Sequence, residues 1–241
     1  MQKRLLESAE VKRKVAENCL EQIIEAVELI IDTFEFGCKV MICGNGGSAA
    51  DSQHMAGEFI CILNKAFDRP GLPALALTTD SSILTAHAND MGFENVFKRQ
   101  VHALGKPGDL LIAISTSGNS PNILVAAEAA KTAKMHTIAL AGKGGKLRKI
   151  VDVAICVPSA MTQYIQESHI AVEHIICELV EHHFFDKIGR KTIKAKVTDT
   201  VIPLSNLNNQ YVRQPQITVE NAFIGPSKNL LGRKIGKKAL A

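Results

Sequence analysis

His54 and Glu58 are a possible metal-binding or proton-transferring pair, four residues apart in the sequence. Residues with this separation lie on the same face of a helix. A neutral imidazole and a carboxylate on one face are the minimum that a metal site or a general acid–base pair requires. The same spacing is also typical of a surface ion pair, so this pattern alone leaves both interpretations open.

A glycine-rich turn, Gly44–Gly47, precedes this pair and follows a short apolar run that contains Val40 and Ile42. The run predicts a buried strand, and Ser48 is predicted to be the N-cap of the next helix. A strand, a turn and a helix in this order direct free backbone N–H groups at a ligand above the end of the strand. The turn therefore predicts a site for an anion or a polar ligand. Glycine-rich turns are common in α/β proteins, however, and this one lacks the G-x-G-x-x-G spacing.

A second candidate loop, Ser115–Ser120, has four hydroxyl groups and one glycine between an apolar run and a predicted helix. Ser120 is a natural N-cap, with Pro121 at the first helical position. Hydroxyl groups, open backbone N–H groups and the helix dipole together form a neutral cradle for phosphate. Because the loop lacks the G-K-[ST] sequence of a nucleotide P-loop, a small phosphorylated metabolite is the expected ligand. The alternative is a polar loop followed by a capped helix.

Predicted strands and helices alternate along residues 37–185, which is the pattern of a parallel sheet covered on both faces. Five apolar runs are predicted strands: 39–43, 73–78, 109–114, 136–141 and 151–157. A long helix is predicted from Gln163 to about Phe185. We therefore expect an α/β protein with three α/β/α layers and a doubly wound, five-stranded parallel sheet.

The two ends of the chain differ from this predicted domain. Residues 1–36 are predicted to form one or two helices, whose apolar stripe either packs on the sheet or contacts another subunit. Residues 186–241 carry 11 Lys and Arg against 3 Asp and Glu, while residues 1–185 carry 17 against 21. We expect this basic extension to be a solvated appendage, a short β arm or an extension without function, rather than a segment that binds nucleic acid.

The composition favours a cytoplasmic protein with a sizeable core. Of 241 residues, 46% are hydrophobic and none is Trp, so aliphatic side chains dominate the packing. No apolar run reaches the roughly 18 residues of a membrane span, and the charged N-terminus lacks the core of a signal peptide. The six cysteines are scattered without a C-x-x-C pair, which is typical of free thiols in the cytosol.

Four stretches in order along the chain contain most of these candidate residues. They are C-G-N-G-G-S-A-A-D-S-Q-H-M-A-G-E, A-N-D-M-G-F-E, I-S-T-S-G-N-S-P-N and I-Q-E-S-H-I-A-V-E-H. Together they resemble the phosphoheptose isomerases, a family with the sugar isomerase (SIS) fold that acts on sedoheptulose 7-phosphate. The resemblance covers about residues 1–185. It implies an enzyme that makes D-glycero-D-manno-heptose 7-phosphate for lipopolysaccharide, capsule or another heptose-containing glycan.

The resemblance implies a role for each matching residue. The phosphate would be held by Ser115, Thr116, Ser117 and Ser120. The sugar would be bound by Asn45, Gly46, Gly47, Ser48, Glu58, Asn89, Asp90 and Gln166. One zinc ion per subunit would be bound by His54, Glu58, Gln166 and His174. A homotetramer with shared active sites is implied as well.

Glu58 and His174 would be the acid–base pair of such an isomerase. Converting a ketose into an aldose moves a proton between C1 and C2 through an enediol. One group must take the carbon-bound proton, and another must serve the neighbouring oxygen. We predict Glu58 as the base and His174 as its partner, with a metal that stabilises the enediolate or fixes the geometry of the site.

Gln166 and His174 are eight residues apart, which is about 12 Å of rise and roughly 80° of rotation on a regular helix. Zinc–ligand bonds are only about 2 Å long. Two such side chains on one straight helix would struggle to reach one ion. We therefore expect either a helix that begins after Gln166 or a site whose ligands come from different subunits.

Three further features carry predictions. His169 lies about 140° round the helix from His174 and is expected to be a packed residue. The turn Lys143–Lys146 either approaches a phosphate or is a solvated turn. Thr162-Gln163-Tyr164 stands where many family members have Thr-Ala-Arg or Ala-Asp-Arg. This departure leaves the exact substrate preference open.

Two other classes of protein share the expected fold and are alternatives to an enzyme. One is a non-catalytic binding protein, such as the tetrameric factor that associates with the bacterial replication initiator DnaA. The other is a phosphosugar-sensing regulator, although no helix-turn-helix motif is evident in the sequence. The intact set of His54, Glu58, Gln166 and His174 favours the enzyme, because a pure scaffold has no need of it.

Overall fold

A five-stranded parallel sheet is the centre of the fold in the computed structural model, which describes residues 1–186. The strands are β1 (Val40–Cys43), β2 (Ala74–Ala76), β3 (Leu110–Ser115), β4 (His136–Gly142) and β5 (Val153–Val157). Their order is β2-β1-β3-β4-β5, and each neighbouring pair is parallel. The five predicted strands are confirmed, whereas the predicted basic extension lies, from residue 187 onward, outside the described residues.

Seven α-helices accompany the strands within residues 1–186. They are α1 (Gln2–Asn18), α2 (Leu20–Glu35), α3 (Gly47–Ile60), α4 (Ser81–Met91), α5 (Val96–Leu104), α6 (Pro121–Thr132) and α7 (Thr162–Phe185). One apolar cluster joins α1, α2, α3 and α7 to one face of the sheet. A second cluster joins α5 and α6 to the other face. The predicted three-layer α/β/α architecture is therefore confirmed.

The central strand β3 shows why the sheet needs two helical layers. All six of its residues are buried. Leu110 and Ile112 pack in one apolar cluster, while Leu111 and Ala113 pack in the other. Aliphatic side chains on both faces are typical of a parallel strand between helices. Because parallel strands end at the same edge of a sheet, the loops after β1 and β3 meet at the edge where α/β proteins bind ligands.

The N-terminal residues form two helices that meet at Cys19, in agreement with the prediction of one or two helices. In α2, Ile23 and Val27 are buried against the sheet. In α1, by contrast, Leu5 and Leu6 remain 69% and 63% exposed. Packing on the sheet therefore accounts for the apolar stripe of α2 but not for the start of α1. None of the helices in the described part of the chain has the length and apolar character needed to span a membrane.

Candidate active site

His54, Glu58 and His174 come together where α3 packs against α7. The Nε2 atoms of the two histidines lie 2.8 Å apart, and His54 Nε2 lies 3.5 Å from a carboxylate oxygen of Glu58. One potential ligand atom from each residue lies within 4.8 Å of the other two. His54 and Glu58 thus share one helix face, as predicted, and α7 adds a third group to form what we call the His-Glu-His triad.

The triad has the spacing of a zinc site. Zinc with tetrahedral bonds of about 2.0–2.2 Å holds neighbouring ligand atoms about 3.3 Å apart. The observed separations of 2.8 and 3.5 Å lie on either side of that value. Two imidazole nitrogens and one carboxylate oxygen are donors that zinc prefers, and three protein ligands are typical of a catalytic zinc site. The residues present therefore fit the ion.

Gln166 lies about two turns before His174 on α7, beside the glycine-rich turn. A Cβ atom on Gly47 would collide with the side-chain amide of Gln166, so glycine at this position makes room for that amide. The helix α7 is continuous from Thr162 to Phe185 and contains both Gln166 and His174. The expectation that the helix begins after Gln166 is therefore wrong. Supply of the two ligands by different subunits stays a prediction.

The glycine-rich turn enters α3 differently from the prediction. The helix begins at Gly47, and its N-cap residue is Gly46, with a φ of 55°. Ser48 lies inside the first helical turn and is only 3% exposed, so the prediction that Ser48 is the N-cap is wrong. Glycine adopts positive φ at little steric cost, which explains why the chain enters the helix on a glycine rather than on the serine.

The loop Ser115–Ser120 directs three hydroxyl groups toward one another. Ser115 Oγ lies 3.0 Å from Ser120 Oγ and 3.4 Å from Ser117 Oγ. Ser120 is the N-cap residue and Pro121 opens α6, as predicted, but the Ser120 hydroxyl makes no cap hydrogen bond and contacts Ser115 instead. The hydroxyl groups therefore converge in the way that a neutral phosphate cradle requires.

Two asparagines connect the glycine-rich turn to this loop. Asn45 and Asn122 each donate a side-chain N–H to the carbonyl oxygen of the other, at 2.9 Å in both directions. Asn122 is 3% exposed, whereas Asn45 is only partly buried. Sequence analysis assigned Asn45 to the sugar and gave Asn122 no role, because nothing in the sequence connects residues 77 positions apart. The one available signal was that both asparagines lie in the recognised motifs.

Asn89 and Asp90 lie near the end of α4. Asp80 caps this helix by accepting a hydrogen bond from the Ile83 N–H at 2.9 Å. Asn89 donates to a carboxylate oxygen of Asp90 at 2.8 Å, and both residues are exposed. No residue of α4 is buried. The assignment of Asn89 and Asp90 to the sugar stays a prediction.

A buried ion pair that sequence analysis missed joins the end of α3 to α7. Arg69 Nε lies 2.6 Å from Glu181 Oε1, and each side chain is 1% exposed. The guanidinium also donates to the backbone oxygens of Glu58 and Phe59, at 2.8 and 2.9 Å. Glu181 accepts two further hydrogen bonds from backbone N–H groups in the loop after α3. We call this ion pair the Arg69–Glu181 clamp. Its guanidinium binds carbonyl groups at the end of α3, where a helix leaves such groups without intrahelical partners. One of these carbonyl groups belongs to Glu58, the candidate base.

Two other titratable side chains of α7 are buried. Burial raises the pKa of Glu173 to about 8, with a smaller contribution from the nearby Asp51 carboxylate. Neither carboxylate oxygen of Glu173 has a hydrogen-bond partner among the described residues. Burial lowers the pKa of His169 to about 4, and its Nε2 lies 3.2 Å from the backbone oxygen of Ala141. His169 is fully buried, so the prediction that it is a packed residue is confirmed.

Comparison with known protein sequences gives one consistent result. The family model described as SIS domain matches residues 5–142. A phosphoheptose isomerase of Roseiflexus sp. (strain RS-1) is 50% identical over 181 residues, which are 75% of this chain and 91% of that protein. A phosphoheptose isomerase of Helicobacter pylori (strain P12) is 49% identical over 188 residues, 78% of this chain and 97% of that protein.

Comparison with solved structures agrees. The phosphoheptose isomerase of Neisseria gonorrhoeae is similar with a TM-score of 0.70 and 42% sequence identity, over 75% of this chain and 96% of that chain. The phosphoheptose isomerase of Francisella tularensis has a TM-score of 0.72 and 36% identity, with the same coverage of both chains. The similarity therefore spans nearly the whole length of both relatives.

Proposed function

The chain belongs to the phosphoheptose isomerases of the SIS domain family, and we propose that it converts sedoheptulose 7-phosphate into D-glycero-D-manno-heptose 7-phosphate. Relatives that cover three quarters of the chain carry this name. The observation that carries the proposal is the approach of His54, Glu58 and His174 to within 4.8 Å of one another, in a chain that also has a hydroxyl-rich loop. A carboxylate and an imidazole in reach of each other are the pair that this isomerisation needs.

Glu58 and His174 divide the proton transfers. Glu58 removes a proton from C1 of the ketose and returns it at C2, while His174 moves the proton between the oxygens of the same two carbons. The intermediate is an enediol, and no atom is gained or lost. The Glu58 side chain is 19% exposed, so its carboxylate is partly shielded from water. The Arg69–Glu181 clamp holds the backbone that carries it.

The other predicted residues bind the two ends of the substrate. Ser115, Thr116, Ser117 and Ser120 hold the phosphate, while Asn45, Gly46, Gly47, Ser48, Asn89, Asp90 and Gln166 line the sugar. One zinc ion per subunit would be held by His54, Glu58, Gln166 and His174. When bound, zinc supplies positive charge that stabilises an enediolate. The fit of the His-Glu-His triad to zinc spacing supports this assignment.

The active unit is a homotetramer with shared active sites in the cytoplasm. The continuous helix α7 supports shared sites, because it places Gln166 and His174 about 12 Å apart along one axis. The exposed Leu5 and Leu6 of α1 support further association. Six free cysteines support a reducing compartment. The product serves a heptose-containing glycan such as lipopolysaccharide or capsule.

Tyr164, which departs from the arginine of many relatives, contacts α1. It is 6% exposed, and its hydroxyl donates to Glu7 at 2.7 Å. Arg4 in turn lies 3.4 Å from the Tyr164 oxygen. The hydroxyl group is therefore engaged by the N-terminal helix.

The test is incubation of the purified full chain with sedoheptulose 7-phosphate, followed by NMR detection of the aldose. Wild type should form the aldose, and Glu58→Gln and His174→Ala should each lower the rate by about 10²–10⁴-fold, since each removes a proton-transfer group. Circular dichroism should show both variants folded. Full activity in both variants would reject the assigned roles. No aldose from the wild type would favour the alternative of a non-catalytic SIS-fold protein, and metal analysis of the same samples tests zinc.

A further inference from the structure

The turn Lys143–Lys146 is packed directly on the loop Ser115–Ser120. The Gly142 N–H donates to the Thr116 backbone oxygen at 3.1 Å, and the Leu147 N–H donates to the Gly118 backbone oxygen at 3.0 Å. Gly145 and Gly118 approach so closely that a Cβ atom on either would meet backbone atoms of the other turn. The position of this turn relative to the candidate phosphate loop is therefore set by backbone contacts on both of its sides.

A cavity of about 230 Å³ opens between this turn, the hydroxyl loop and the start of α7. Its lining residues are Thr116, Ser117, Lys143, Gly144, Ser159, Ala160, Thr162 and Ile165. Two of them, Thr116 and Ser117, belong to the phosphate loop. Ser159 and Thr162 add hydroxyl groups on the α7 side. Among the described residues that line the cavity, Lys143 alone carries a charge.

The charge of Lys143 is available to a ligand. The segment Lys143–Lys149 contains four basic residues and no acidic one. None of those four makes an ion pair with a carboxylate in residues 1–186. A phosphate monoester carries about −1.5 to −2 charges at pH 7, whereas the loop Ser115–Ser120 offers only neutral donors. Of the cavity-lining residues within 1–186, Lys143 is therefore the one that can place a positive charge beside the phosphate.

We propose that Lys143 is a phosphate-binding residue whose ammonium group pairs with the substrate phosphate, while Ser159, shortly before α7, and Thr162, its first residue, line the same cavity. This proposal rests on the proposed function, which supplies the phosphosugar. The sequence also allows a solvated turn at Lys143–Lys146, and the proposal replaces that alternative with a contact to phosphate. Its consequence is specificity: Lys143 lowers the KM for the phosphorylated sugar without taking part in proton transfer. The same group binds free inorganic phosphate.

The experiment compares wild type with Lys143→Met and Lys143→Arg, and uses Lys149→Met as the matched control. Lys149 is an exposed basic residue of the same segment that does not line the cavity. For each protein, KM and kcat are measured with sedoheptulose 7-phosphate, and inorganic phosphate binding is measured by calorimetry. A charged hydrogen bond to phosphate predicts a 10- to 100-fold rise in KM for Lys143→Met, with kcat within about threefold. The Kd for inorganic phosphate should rise in parallel, and Lys143→Arg should retain most of the affinity.

Two results would overturn the proposal. In the first, KM and the phosphate Kd of Lys143→Met stay within about twofold of wild type. In the second, Lys149→Met weakens both as much as Lys143→Met does, which would show a general electrostatic field rather than a contact. The calorimetry separates this proposal from the proposed function. If the wild-type chain had no isomerase activity but still bound phosphate through Lys143, the proposed function would be refuted and the phosphate site at Lys143 would be supported.

Discussion

The two ends of the candidate active site are built in opposite ways. The phosphate end takes its hydroxyl groups from the single loop Ser115–Ser120, whose residues are adjacent in the chain. The proton-transfer end joins His54 on α3 to His174 on α7, which are 120 positions apart. The first end depends on local turns, whereas the second depends on how two helices pack. We therefore expect substitutions far from the chemistry to damage the second end more than the first.

The largest effect is expected from breaking the Arg69–Glu181 clamp. The variant Arg69→Met leaves a buried carboxylate without its partner and should lower the free energy of unfolding by about 3–5 kcal/mol. It also removes the hydrogen bond to the Glu58 carbonyl group and one of the two that the Phe59 carbonyl group accepts, so isomerase activity should fall with stability. Urea denaturation and initial rates measure the two quantities.

The controls for this prediction use one neighbouring residue and one double variant. Lys65→Met, at an exposed position of the same loop, should change the free energy of unfolding by less than about 0.5 kcal/mol. Arg69→Met combined with Glu181→Gln should recover part of the lost stability, because it removes the unpaired charge and keeps one side-chain oxygen that can accept from the backbone N–H groups of the loop. Wild-type stability in Arg69→Met alone would show that helix packing does not depend on the clamp.

The next effect concerns His169, which connects α7 to the end of β4 through the Ala141 oxygen. Its folded-state pKa is about 4 and its ordinary value is 6.5, so between these values the unfolded chain binds the additional proton. The contribution of His169 to the free energy of unfolding should therefore fall as the pH drops from about 6.5 to about 4, by up to about 3 kcal/mol, while the raised pKa of Glu173 acts in the opposite direction. Denaturation at several pH values measures this loss.

Matched variants isolate the contribution of His169 from that of the carboxylates. His169→Asn cannot take up the proton, so its free energy of unfolding should rise relative to that of wild type as the pH drops over this interval. His136→Asn, at an exposed position of β4, should keep the wild-type pH dependence. Parallel pH curves for wild type and His169→Asn would contradict the assignment.

A smaller effect is expected at the phosphate end from Gly145→Ala. Gly145 has a φ of 97° and packs against the backbone of Ser117 and Gly118, so a Cβ atom is strained there. The expected loss is about 1–3 kcal/mol of stability. We also expect a higher KM with little change in kcat, because the strain falls on the loop that we propose to hold phosphate.

Gly144 provides the matched control in the same turn. A Cβ atom at Gly144 would meet nothing within 4 Å, so Gly144→Ala should match wild type in stability. A large fall in kcat with an unchanged KM in Gly145→Ala would show that the phosphate end and the proton-transfer end are not separable. That result would contradict the expectation that the two ends of the candidate site respond differently to substitution.

The smallest effect is expected where the two loops are joined. Asn122→Ala leaves the side chain of Asn45 without its partner and should cost about 1–2 kcal/mol of stability. Glu128→Ala, at an exposed position of α6, is the control and should be close to neutral. Equal stability of the two variants in thermal denaturation would mean that water replaces the amide pair at no cost.

Much of the fold was predictable because its signals are local. The apolar runs that became β1 and β3 and the long α7 follow from intervals of two to four residues. The prediction for Ser48 failed because a positive φ at Gly46 competes with side-chain capping, and sequence alone does not rank these two. The converging hydroxyls of the phosphate loop were predictable for the same local reason.

The sequence by itself determined the order of strands and helices, the phosphate loop, the pairing of His54 with Glu58 on one helix face and, by its motifs, the family. Only the tertiary structure decided that Arg69 holds the end of α3, that Asn122 pairs with Asn45, and that Tyr164 contacts α1. The physical reason is distance along the chain. Periodicity and capping report forces between near neighbours, whereas these contacts join side chains from 11 to 157 positions apart that only the packed core brings together.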